Sequence, residues 1–146
     1  MSNRIKPKRP AGAELQRSRR ARIEQALAAG DIGRAAALAE AALAQGQVEP
    51  MFLNLAAWQR EEAGDYAEAH RLLQQALALA PGDVLVLGAI GAVLRKEHRL
   101  EEALAVLDRV VAAAPAQAAA WLERGYTLEA LRSEAAAKER DRKSVV

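Results

Sequence analysis

The chain has 146 residues, of which 36 are alanine, and a formal net charge of +2. It has no cysteine and only five aromatic residues, so disulfides, thiolate nucleophiles and cysteine metal sites are excluded. No run of about 18 apolar residues exists to cross a membrane. The length suits one ordinary domain. The apolar content is mostly alanine and leucine, which form helices readily and carry no β-branch, so the chain is predicted to be almost wholly helical.

The first 22 residues hold eight basic residues (Arg4, Lys6, Lys8, Arg9, Arg17, Arg19, Arg20 and Arg22) against one acid, Glu14. Residues 1–12, with Pro7 and Pro10, are predicted to be a flexible basic arm. No apolar stretch follows the basic start before Leu15, which disfavours a signal peptide. No aromatic residue interleaves with the cations, so a nucleic-acid stacking platform is missing and nucleic acid is not an expected partner. The arm is read as solvated charge, and the chain is expected in the cytoplasm.

After the arm the sequence repeats every 34 residues. Gly30, Gly64 and His98 are in register, as are Asp31, Asp65 and Arg99, then Ala35, Ala69, Ala103 and Ala137. Pro81 and Pro115 share the spacing, whereas Pro50 falls outside it and implies a different first junction. Helices are predicted at about 14–29, 32–45, 50–63, 66–79, 83–97 and 100–113. A last helix is expected from Ala118 to about Leu131, with a short partner from Ser133. Gly64 can close one helix in a left-handed conformation, and Asp65 can cap the next. Ala69, Leu73 and Ala76 share a face whose small residues allow close helix approach. Pro81 ends the unit, because the residue before proline avoids the helical region. His98 weakens this turn in the third copy. Leu53, Leu55, Leu87, Ile90, Val93 and Leu94 supply the apolar faces of the first helices. A pair this short cannot bury its face alone, so neighbouring pairs must stack.

With these marks the sequence resembles the tetratricopeptide repeat family. The match rests on Ala57, Gly64, Tyr66, Ala69, Leu73, Ala76 and Pro81. It continues with Leu87, Gly91, Leu94, Ala103, Leu107 and Pro115, and with Trp121, Gly125 and Leu128. It covers roughly residues 14–140, and the first repeat is its poorest part. The resemblance implies an all-α, right-handed solenoid of three to four antiparallel helix pairs over residues 13–140. It also implies a concave groove lined by the first helix of each pair, which binds a protein or peptide. In this chain the groove positions are Met51, Asn54, Trp58, Glu61 and Glu62, then Leu85, Gly88, Ala92, Arg95 and Lys96, then Leu122, Tyr126 and Glu129. Trp58 and Tyr126 are candidate anchors, and Arg95 and Lys96 candidate partners for a ligand carboxylate. One family subset clamps a chaperone tail with Lys and Asn across two repeats. This chain has Asn54 but Arg17, Arg20 and Glu24 in its first repeat, and does not reproduce that pattern.

Catalytic chemistry finds no support. His70 and His98 are too few for a metal site. Glu61 with Glu62, and Glu101 with Glu102, are adjacent and share no face. Ser133 and Ser144 lack a base. No Gly-Lys-Ser or Gly-Lys-Thr exists to hold phosphate. Neither an enzyme nor a cofactor is therefore expected.

The last repeat lacks a polar capping helix and breaks down after Ala137, so it is a candidate surface for self-association. Residues 141–146 can be written as GAT CGG AAG AGC GTC GTG, a common sequencing-adapter sequence in frame, and are read as a tail of that origin. The alternative function follows: a repeat arm preceding an enzyme, in the style of those on sulfotransferases or aspartyl/asparaginyl hydroxylases.

Overall fold

A computed structural model describes residues 11–145. The helices are α1 (Ala11–Ala28), α2 (Ile32–Ala44), α3 (Pro50–Glu62), α4 (Tyr66–Leu79), α5 (Val84–Lys96), α6 (Leu100–Ala113) and α7 (Ala118–Ser144). Three antiparallel pairs are thus followed by one long helix. The architecture is an all-α helical-repeat solenoid.

The repeated turn works as its residues dictate. Gly30 and Gly64 take φ of 74° and 77°, and each is followed by an aspartate cap. Asp31 accepts from the Arg34 amide at 3.0 Å, and Asp65 from the Glu68 amide at 3.2 Å. The third copy forms the same turn with poorer chemistry. His98 is forced to φ 62°, and Arg99 stands at the cap position without a side-chain cap bond. Ala80, before Pro81, leaves the helical region at φ −141°, ψ 79°. Asp83 then caps α5 by accepting from the Leu85 and Val86 amides. Pro50, out of register, occupies the first turn of α3, where a missing amide hydrogen is harmless.

Packing follows the same logic. Ala69, Leu73 and Ala76 of α4 are fully buried and join Leu53, Ala57, Val86, Ile90 and Leu107 in the main core. A second cluster gathers Ile23, Ala35, Ala36, Ala39 and Phe52 at the α1–α2–α3 end. The first helices of successive pairs also touch, α3 with α5 and α5 with α7, whereas α2, α4 and α6 do not touch one another. The first helices therefore form the tighter, inner layer of the stack from α3 onward.

The structure departs from expectation at both ends. Of the predicted arm, residues 1–10 lie outside the described residues, and Ala11 and Gly12 open α1. At the other end, the predicted break near Arg132 is absent. The register places Arg132 where Gly30, Gly64 and His98 make their turns, but nothing there favours a left-handed residue. Arg132 instead pairs with Glu129, one helical turn back, at 2.9 Å. The helix runs through 141–144, expected as tail, where Arg142 and Lys143 both reach Glu139.

One consequence is visible along the register. Leu53, Leu87 and Trp121 are equivalent, as are Ala57, Gly91 and Gly125. A Cβ on Gly91 would lie 2.6 Å from Leu107 Cγ of α6, whereas one on Gly125 would meet nothing within 4 Å. Leu53 is 2% exposed and Trp121 47%. The seat that receives α4 on α3 and α6 on α5 is open on α7.

Candidate functional site

The inner layer encloses a groove of about 460 Å³. It runs from Leu27 and Ile32, across Asn54, Leu55 and Trp58 of α3, over Leu85, Gly88 and Ala92 of α5, to Gln117, Ala120 and Glu123 at the start of α7. Asn54, Trp58, Glu61 and Glu62 come together because residues four, seven and eight positions after Asn54 lie close to one helical face, so Glu61 and Glu62, expected to share no face, both border the groove. Trp58 is half-buried: one side packs on the Phe52–Leu55 cluster while the ring also lines the groove. Gly88 keeps the floor low, with the Gln117 amide 3.2 Å from where its Cβ would stand.

At the end of α3 the groove turns polar. Lys96 Nζ is 2.8 Å from Glu61 and 3.5 Å from Glu62, both 34–35 residues earlier and in the last turn of the neighbouring inner helix. The hydrogen bond to Glu61 holds the Lys96 ammonium above the usual lysine range, against a smaller opposing effect of burial. These three side chains form a ridge shared with a second hollow of about 590 Å³, lined also by Tyr66, Arg95, His98 and Leu100. Arg95 bonds Glu123 at 2.7 Å and lies 5.4 Å from the Tyr126 ring centre.

The sequence positions thus divide. Asn54, Trp58, Glu61, Glu62, Leu85 and Lys96 line the groove together, with Gly88 and Ala92. Met51 packs against the second core cluster, at the α1–α2–α3 end, instead. Arg95 lines the second hollow. Leu122 and Tyr126 are exposed beside the groove rather than in it, and Glu129 is held by Arg132. Nor are Arg95 and Lys96 free to meet a ligand carboxylate, since each already holds a glutamate. Sequence reasoning missed Leu27, Ile32, Gln117 and Glu123. The 34-residue register was the available signal for the ridge, because it sets Lys96 directly over Glu62.

The other candidate residues are occupied locally. His70 Nε2 sits 2.7 Å from Glu97. In α1, Arg20 bonds both Glu24 and Glu49, and Arg19 bonds Gln45. Among the described residues no group of three or more histidines or acids could hold a metal ion, and no helix is long and apolar enough to cross a membrane.

Comparison with known families gives two matches, both described as tetratricopeptide repeat, over residues 20–84 and 61–124. Among solved structures, a MamA RS-1 ArsTM double mutant is 27% identical, with a TM-score of 0.60. The match covers 86% of this chain and 69% of that one. The second TPR domain of human RPAP3, in complex with the HSP70 peptide SGPTIEEVD, is 19% identical with a TM-score of 0.60. It covers 78% of this chain and 96% of that one, and at this identity the likeness is one of fold. Comparison with curated protein sequences gave no match.

Proposed function

Because the chain belongs to the tetratricopeptide repeat family, we propose that it is a protein-interaction scaffold whose inner groove seats a segment of a partner protein. The observation that carries this reading is Trp58, an indole that faces a preformed groove while its other side is anchored in the core. Anchors of this kind dominate binding, because a large, rigid side chain is desolvated at little cost in entropy. The groove walls are helices fixed by neighbouring pairs, so little backbone ordering is left for the binding step. The fold shared with the RPAP3 domain, which holds a peptide, supports the same reading. The alternative of a repeat arm on a sulfotransferase or hydroxylase draws no support from these residues.

The test is Trp58→Ala, measured by peptide-library selection and by thermal unfolding. A loss of selected-peptide affinity of about tenfold or more, with the cooperative transition retained, is expected for an anchor. Unchanged peptide affinity would refute the assignment of the groove.

A further inference from the structure

The charge of the groove's occupant can be read from how its ionic groups are already paired. Among the described residues the groove is lined by Glu61, Glu62 and Glu123 but by a single cation, Lys96. Lys96 sits closest to Glu61, whose side chain is only 10% exposed. Glu123 is held by Arg95, which reaches it from outside the groove. With Arg95 included, three acids face two bases. The surplus falls on Glu62, which is 55% exposed and only 3.5 Å from the already engaged Lys96.

The backbone adds to this. Glu61 and Glu62 close α3, and the C-terminal end of a helix carries roughly half a unit of negative charge from its free carbonyls. Acids at that end are unfavourable for the isolated helix, which is a reason for a cation to be drawn there. Farther along the same groove, Gln117 Oε1 is buried without a hydrogen-bond partner among the described residues. An unpaired acceptor seeks a donor, as the surplus carboxylate does. The apolar requirement comes from the same helix: Trp58 precedes Glu62 by four residues, so the indole and the carboxylate are neighbours on one face.

Resting on the groove reading above, we propose that this groove selects a partner segment carrying an apolar side chain beside a lysine or arginine. The apolar group seats against Trp58, Leu85 and Ala92, and the cation meets Glu62 at the end of α3. This preference is opposite to that of an acidic tail. A segment such as SGPTIEEVD, which the RPAP3 domain holds, would bring three acidic side chains to a rim already in surplus of negative charge.

The experiment is a positional-scanning library of acetylated, amidated octapeptides, captured on the wild-type chain, on Trp58→Ala and on Glu62→Gln. Lysine and arginine should be enriched next to an apolar position. The best selected peptide should bind Glu62→Gln about threefold to fivefold more weakly, the range of one partly exposed ion pair. Added salt should weaken its binding to the wild type more than to the variant. Circular dichroism of Glu62→Gln should match the wild type, because its side chain is largely solvated. Enrichment of aspartate or glutamate, or selection blind to charge, would overturn the inference; if that selection were still lost in Trp58→Ala, the groove reading would stand. Selection equal on all three proteins, or none on any, would overturn both.

Discussion

Gly91 and Gly125 occupy the same position of successive repeats, yet the same substitution should stabilise the chain at Gly125 and not at Gly91. At Gly91 an added methyl would stand 2.6 and 2.7 Å from Leu107 Cγ and Cδ2. Leu107 is fully buried in the main core, so moving it aside means repacking its neighbours. Overpacking of this kind costs about 1–3 kcal/mol, while replacing glycine by alanine within a helix returns about 1 kcal/mol. Gly91→Ala should therefore be neutral to about 2 kcal/mol less stable than the wild type. A Cβ on Gly125 would meet none of the other described residues within 4 Å, so Gly125→Ala should gain about 1 kcal/mol from helix propensity alone. The two variants should differ by about 1–3 kcal/mol, or about 2–4 °C in Tm for each kcal/mol in a chain of this size. Urea titration and thermal melts followed by circular dichroism would measure both. A Gly91→Ala variant as stable as Gly125→Ala would refute the close approach of α5 and α6 at Leu107.

Other consequences can be checked in the same assays. His98→Gly should raise stability by up to about 1 kcal/mol, because glycine enters the left-handed region without the penalty imposed by a Cβ; a lower denaturation midpoint would show that the His98 side chain matters more than its backbone. Asp65→Ala should cost about 1 kcal/mol by removing the cap on α4, whereas Arg99→Ala, at the equivalent uncapped position, should cost less; equal losses would contradict the cap assignment. Lys96 titrates above its usual value of 10.5 in the folded chain, so its contribution is fully present below that pH and lost as pH rises through the folded value. The stability difference between wild type and Lys96→Met should therefore shrink above about pH 10.5, and a difference that grew with alkali would reverse the sign of the pairing.

The sequence made the pairs legible because their turns are chemical. The glycine–aspartate pairs at 30–31 and 64–65 supply a left-handed stop and a capped start, and the alanine stripe at 69 and 76 identified the buried face of α4. Where the repeat decayed, reading became harder. Arg132 occupies a turn position without turn chemistry, and the local preference for helix carries α7 straight through it. The groove was half legible. Positions on one helix, such as Asn54 and Trp58, follow from spacing. Leu27 and Gln117 enter from the ends of other helices, which depends on how far each pair is displaced along the stack. The neutralisation of Arg95 and Lys96 was hidden for a related reason. Residue type announces a cation, but only the contact with Glu123 or Glu61 shows that it is already engaged.

The pattern of contacts has one more implication. Each unit is joined only to its immediate neighbours: α3 touches α5 and α5 touches α7, but α3 and α7 do not touch. Such a stack loosens from its ends, and amide exchange should quicken from α5 towards the end of α7. A segment lying in the groove meets α3, α5 and α7 at once. It would act as a clasp, fastening links that the polypeptide itself fastens only two at a time. Occupancy should then be felt most strongly not where the indole sits but at the far, weakly held end of the ladder.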